Sequence, residues 1–97
     1  MYYIENTKIL LFDPKRFDLS QRTIIGQISP KHFVIIKDRK SRIIMKDGNQ
    51  ILEQIKLIQD NEPNSKISLA TNAPVCSKTT AFLKEEGIDI LSLEKYI

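Results

Sequence analysis

Alternating polar and apolar side chains predict a strand from Lys66 to Ala70, because a strand with one buried face has a period of two residues. A break at Asn72–Pro74 follows, and Pro74 suits the first position of a helix. The next apolar residues have helical spacing: Val75, Thr79, Phe82 and Leu83. Gly87 ends this helix, and the apolar run from Ile88 to Leu93 predicts a second strand. Strand, helix and strand in this order favour a crossover with parallel pairing.

The preceding part of the chain predicts the strands that complete this sheet. Apolar residues indicate an opening strand or hairpin at Tyr2–Phe12, and three further strands at Thr23–Ile28, His32–Lys37 and Arg42–Lys46. The segment Asp38–Ser41 would then be the tight turn of a hairpin between the last two strands. Gly26 is expected to mark a β-bulge.

A helix is predicted after the Arg42–Lys46 strand, with Asp47, Gly48 and Asn49 at its start. Its buried stripe consists of Ile51, Leu52, Ile55 and Ile58, and Asn61–Ser65 ends it. The complete order is an antiparallel three-stranded meander followed by helix, strand, helix and strand. We therefore predict an α+β fold with a mixed sheet, in a single domain that spans residues 1–97.

Composition excludes several classes of protein. The chain is 41% hydrophobic and 28% charged, which is typical of a folded globular domain and not of a disordered one. It contains neither a run of apolar residues long enough to span a membrane nor the features of a signal peptide. Its one cysteine cannot form an internal disulfide. We therefore expect a cytoplasmic protein without a membrane partner.

Positive charge is concentrated in one segment of the chain. Residues 31–46 contain six Lys and Arg against one Asp, so the rest of the chain carries −2 of the total net charge of +3. Such a concentration favours phosphate binding by DNA- or RNA-binding proteins. The predicted binding residues are Lys37, Arg39, Lys40, Arg42 and Lys46. The alternative is that these cations only keep the edge of a sheet soluble.

The element order resembles the core of the PD-(D/E)XK nuclease superfamily, and the last third of the chain resembles the tail of Mrr-type restriction endonucleases. The residues that carry the second resemblance are Leu69-Ala70-Thr71-Asn72, Ser77-Lys78, Gly87-Ile88-Asp89-Ile90 and Glu94-Lys95-Tyr96-Ile97. The resemblance implies a restriction-endonuclease-like fold. It also implies a metal-dependent cut in a phosphodiester.

The catalytic motif of that superfamily is incomplete in this sequence. The family holds a metal with an acid on the second meander strand and with an Asp or Glu two residues before a Lys on the third. Lys46 matches the Lys, but Ile44 stands at the carboxylate position, and Lys31-His32 stand where the first acid is expected. An isoleucine cannot supply the oxygen ligands that such metals need. We therefore expect a catalytically silent protein with no metal, no cofactor and no catalytic residue.

The sequence alone leaves three questions open. Cys76 near a helix start is either a nucleophile, paired with His32, or a small buried residue. The protein is either a nucleic-acid-binding protein, a divergent nuclease, or a homodimeric interaction module that pairs through Tyr2–Phe12 or its last strand. If the basic segment binds phosphates, charge reversal of Arg39 and Lys40 should abolish binding without unfolding the domain.

Overall fold

The computed structural model describes residues 2–95, the side chain of Lys95 excepted, and it contains two β-sheets and two α-helices. The elements are β1 (Tyr2–Ile4), β2 (Thr7–Lys8), β3 (Leu10–Phe12), a 3₁₀ turn (Pro14–Phe17), β4 (Ile24–Ser29), β5 (His32–Lys37), α1 (Met45–Asn61), β6 (Lys66–Thr71), α2 (Ser77–Glu85), β7 (Ile90–Ser92) and β8 (Glu94–Lys95). The larger sheet has the strand order β3-β4-β5-β6-β7, and the smaller has β2-β1-β8. Tyr96 and Ile97, at the end of the Mrr-like tail, lie outside the described residues.

The predicted α+β fold with a mixed sheet is confirmed. Strands β3, β4 and β5 form an antiparallel meander, whereas β5, β6 and β7 pair in parallel. The order after β5 is helix, strand, helix and strand, as predicted. The C-terminal strand of this series, β7, lies at the edge of the larger sheet.

The predicted strand at Arg42–Lys46 is wrong, and with it the hairpin turn at Asp38–Ser41. The meander is instead completed by β3, which comes from the predicted N-terminal segment and is its first strand. Within 42–46, Ile43 alone is buried, and it forms a single parallel bridge with Val75. Helix α1 already begins at Met45, so the segment before it is too short for a strand, and Ile43 is left as an isolated bridge.

Both helices begin at residues other than those expected. Helix α1 begins at Met45, and Asp47 lies in its first turn, where its carboxylate accepts a hydrogen bond from the N–H of Ile44. Helix α2 begins at Ser77, with Cys76 as its N-cap, so Pro74 lies outside it. At the other end, Gly87 adopts a left-handed φ of 77°, and the N–H of Ile88 bonds the Leu83 carbonyl. The predicted glycine stop is therefore confirmed as a Schellman motif.

Apolar residues cover both faces of the larger sheet. On one face, strand residues such as Phe33, Ile35 and Leu69 form a core with α1 and α2, to which the helices contribute Ile51, Ile55, Ile58 and Leu83. On the other face, Val34, Ile36 and Ala70 pack against residues at or beside the smaller sheet, namely Ile4, Ile9 and Leu93. No helix among residues 2–95 is long and apolar enough to cross a membrane.

Gly26 has a different role from the one predicted. The irregular pairing in the β4–β5 hairpin lies between Gln27 and Ser29, beyond this glycine. A Cβ atom at Gly26 would lie 2.2 Å from Cγ2 of Ile9, so the buried Ile9 side chain occupies the space that any larger residue would need. Gly26 therefore allows β4 to pass beneath Ile9.

Candidate nucleic-acid interface

The basic residues lie at one edge of the larger sheet, where β5 and β6 end and both helices begin. The loop after β5 covers residues 38–44 and leads into α1. The loop after β6 covers residues 72–76 and leads into α2. In open sheets with parallel strands, ligands bind beyond the carboxyl ends of the strands. The two loops are therefore placed where this architecture commonly has its sites.

Hydrogen bonds between the two loops fix their relative position. The Asn72 side chain donates to the Asp38 carboxylate at 2.8 Å and accepts from the N–H of Arg39 at 3.0 Å. The Tyr2 hydroxyl donates to the same carboxylate at 3.0 Å. Beneath them, the buried Thr71 hydroxyl donates to the carbonyl of Lys37 at 2.7 Å. The start of the loop after β5 is thus held by Tyr2 of β1, Thr71 of β6 and Asn72 of the loop after β6.

A second set of contacts holds the end of the loop after β5. The N–H of Ile43 donates to the Pro74 carbonyl at 2.8 Å, and the N–H of Cys76 donates to the Ile43 carbonyl at 3.0 Å. The Ile43 side chain is fully buried below these bonds. The loop between β5 and α1 therefore has a defined conformation.

Arg39 stabilises this loop from within. Its guanidinium donates to the carbonyls of Ser41 and Arg42 and forms an ion pair with Asp47, with 2.7 Å between Nη2 and Oδ2. The hydrogen bond from Arg39 and that from the N–H of Ile44 hold the pKa of the Asp47 carboxyl below its usual value. Charge reversal of Arg39 would remove these bonds. We therefore expect this change to disturb the loop, contrary to the prediction that it leaves the domain intact.

Lys37 is half-buried at the end of β5, two residues before Arg39. Burial, with a smaller contribution from the charge of Arg39, lowers the pKa of the Lys37 amine, while the charge of Asp47 opposes the shift. Of the five predicted binding residues, Lys37 and Arg39 are therefore partly enclosed. Lys40, Arg42 and Lys46 are exposed.

The structure brings the five predicted residues to one edge but leaves Lys31 apart from them. Lys31 precedes β5 and so lies at the opposite end of a six-residue strand from Lys37. A further cation that was not predicted, Lys78, lies at the same edge in the first turn of α2. One signal would have found it: a lysine in the first turn of a predicted helix, where cations are unfavourable.

The residues that suggested nucleophilic chemistry are separated. His32 lies at the start of β5, where its Nε2 is 2.8 Å from the hydroxyl of the buried Ser68. Cys76 lies beyond the opposite end of the sheet, half-buried, and its Sγ is 2.9 Å from the Thr79 hydroxyl. Hydrogen bonds from Thr79 lower the pKa of the Cys76 thiol. The Cys76–His32 pair is therefore wrong, and Cys76 is the N-cap of α2.

Because the meander consists of β3, β4 and β5, the positions that correspond to the nuclease motif lie on β4 and β5 and not at Ile44 and Lys46. The third strand, β5, ends in Lys37, and the position two residues earlier is the fully buried Ile35. The second strand, β4, has the sequence IIGQIS, without a carboxylate. Among residues 2–95, no three His, Cys, Asp or Glu side chains lie close enough together to bind a metal ion.

No protein-family model and no curated protein sequence matches this chain. Solved structures do match. EndoMS in complex with dsDNA has a TM-score of 0.70 at 17% identity, over 97% of this chain and 39% of the EndoMS chain. EndoMS in its apo form has a TM-score of 0.65 at 15% identity, over 95% and 38%.

A repair endonuclease from Pyrococcus abyssi has a TM-score of 0.60 at 14% identity, over 73% of this chain and 31% of the endonuclease chain. This chain thus spans about two fifths of the length of EndoMS. The likenesses establish the fold alone: the chain has a restriction-endonuclease-like fold, as its element order predicts.

Proposed function

We propose that this protein binds nucleic acid, with double-stranded DNA as its partner, through the edge formed by residues 37–46, and that it does not cleave it. The observation that carries the proposal is the segment of residues 37–46, which holds five cations and one carboxylate at the carboxyl end of β5, beside that of the parallel strand β6. Three of these cations, Lys40, Arg42 and Lys46, point their charge to solvent. A fixed set of exposed cations suits a partner that carries regularly spaced phosphates.

The comparisons support a DNA partner. EndoMS, which was solved in complex with dsDNA, is similar to this chain over 97% of this chain and 39% of the EndoMS chain. The fold alone does not determine function, because the same fold can carry different sites. The basic edge is the feature of this chain itself that agrees with a DNA partner.

The residues around Lys37 support the proposal of catalytic silence. Ile35 replaces the carboxylate of the motif, and the two carboxylates closest to Lys37 in sequence, Asp38 and Asp47, are already engaged. Asp38 accepts bonds from Tyr2 and Asn72, and Asp47 accepts bonds from Arg39 and from the N–H of Ile44. Divalent metal ions need several oxygen ligands, so neither carboxylate suits a nuclease metal site in this arrangement.

A matched pair of variants tests this proposal. The first replaces Lys40, Arg42 and Lys46 by Gln, and the second replaces the exposed Lys31, Lys56 and Lys84 by Gln, with the same change in net charge. Each phosphate contact makes log K fall by about 0.9 per ten-fold rise in salt, so at 0.1 M salt it contributes about eight-fold in affinity more than at 1 M salt. A variant that loses the contact loses this factor. We expect the first variant to bind a labelled duplex more than a hundred-fold more weakly and the second to keep most of its affinity. Equal losses would mean that only net charge matters, which would overturn the proposed interface.

Two alternatives make different predictions in the same assay. A divergent nuclease, which the likeness to endonucleases supports, would cut the duplex when Mg²⁺ is added. A homodimeric interaction module is favoured by one observation: edge strand β3 exposes Leu10 and Leu11 by 60% and 53%. A second copy pairing with β3 would cover both leucines. In that case light scattering should give twice the chain mass, and Leu11→Lys should return the protein to a monomer.

A further inference from the structure

The amino ends of α1 and α2 are packed against each other. A Cβ atom at Gly48 would lie 2.9 Å from Cγ2 of Thr79 and 3.6 Å from Cδ2 of Phe82, so the backbone of α1 passes close to α2 at this point. Gly48 is the fourth residue of α1, and Thr79 is the third residue of α2. The bridge between Ile43 and Val75 joins the segments just before the two helices. The first turns of both helices are therefore neighbours.

Each helix has an exposed lysine as its second residue. These are Lys46 in α1 and Lys78 in α2. They are separated by 32 positions in the sequence, yet one lies two residues before Gly48 and the other directly before Thr79. The contact between Gly48 and Thr79 thus brings two lysines from different segments to the same edge as Lys40 and Arg42.

A lysine at this position is unfavourable for the stability of the helix. The first turn of a helix carries a partial positive charge, which stabilises acids and destabilises cations. Helix α2 has no acidic residue in its first turn, and the single acid in the first turn of α1, Asp47, is already paired with Arg39. Residues that lower stability without a structural benefit are expected at functional sites.

We infer that Lys78 binds phosphate together with Lys40, Arg42 and Lys46, so that one nucleic-acid backbone crosses the first turns of both helices. This inference rests on the proposed function and extends its interface from one segment to two. The interface then has a cation from the first turn of α2 as well as those from residues 40–46. Its structural requirement is the close packing of α1 and α2 at Gly48.

The test compares Lys78→Gln with Lys84→Gln, which changes the same residue type on the same helix. Lys84 lies in the last turn of α2, where a cation is favourable. The assay measures duplex affinity between 0.05 and 0.3 M salt, together with the melting temperature. Loss of one phosphate contact lowers the slope of log K against log salt by about 0.9 and weakens binding about eight-fold at 0.1 M salt.

The expected results have opposite signs for stability and affinity. Lys78→Gln should raise Tm by roughly 2–5 °C while it weakens binding, and Lys84→Gln should lower Tm slightly with unchanged binding. The inference is wrong if Lys78→Gln binds as tightly as the wild type while the triple variant of Lys40, Arg42 and Lys46 has lost its affinity, and in that case the proposed function still holds. If the wild type shows no salt-dependent binding, both fail.

Discussion

Replacing Gly48 by Ala tests the close crossing of the two helices. The new Cβ atom would lie 2.9 Å from Cγ2 of Thr79, well inside the usual separation of about 3.5–4.0 Å between carbon atoms. Thr79 is fully buried and β-branched, so it has few other rotamers available. Overpacking of this kind costs about 1–3 kcal/mol, whereas alanine gains about 1 kcal/mol in helix propensity over glycine. We expect a net destabilisation of about 1 kcal/mol and a Tm lowered by roughly 4–8 °C.

Urea unfolding of three further variants separates the clash from propensity. Asn49→Ala, at the exposed neighbouring position, should stabilise α1 slightly, since it changes propensity alone. Thr79→Ser removes the Cγ2 atom that the new Cβ would meet but keeps the hydroxyl that bonds Cys76. The double variant Gly48→Ala/Thr79→Ser should therefore be about 1 kcal/mol more stable than the sum of the single changes. A stabilising Gly48→Ala, or strict additivity with Thr79→Ser, would refute the close crossing.

Two further predictions concern titratable groups. Burial, followed by the charge of Lys66, lowers the pKa of His32 from its ordinary 6.5, so folding loses stability as the pH falls below 6.5 through the lower folded value. His32→Gln, which can still bond Ser68, should flatten the stability between pH 7.5 and 5.5 in urea titrations, and an unchanged slope would contradict this assignment. Asp47→Asn should cost about 1 kcal/mol at pH 7, with loss of its ion pair to Arg39 and of an acid in the first turn of α1. Because the pKa of Asp47 is lowered from 3.8 on folding, the stability that its carboxylate provides is lost as the pH falls from 3.8 through the lower folded value, and the difference between wild type and variant should shrink over that range. The same variant should bind duplex more tightly, and weaker binding would show that Arg39 needs Asp47 to act.

The sequence pattern predicted the elements whose local and tertiary preferences agree. Strand β6 alternates polar and apolar residues at its start and is buried along its length after Lys66. Helix α1 buries Ile51, Ile55 and Ile58 at the expected spacing. The stop at Gly87 also follows from local chemistry, because a left-handed residue there closes the helix. Such elements need no information about distant partners.

Elements decided by distant contacts were not predictable in the same way. The segment Arg42–Lys46 has β-branched residues typical of a strand, but the bridge to Val75 lies 32 positions away and pairs Ile43 alone. Strand β3 has three residues, and its place in the meander depends on pairing with β4. The interface shows the same division. Its cations in residues 37–46 follow from composition, whereas Lys78 joins them only through the packing of Gly48 on Thr79.

The central claim is tested most directly by the salt dependence of duplex binding, measured with and without Mg²⁺ on the wild-type protein. Four contacts, by Lys40, Arg42, Lys46 and Lys78, predict a slope of about −3.6 for log K against log salt. They also predict that the duplex remains intact when Mg²⁺ is present. A slope near zero, or no binding at 0.05 M salt, would contradict the basic interface, and cleavage with Mg²⁺ would contradict catalytic silence.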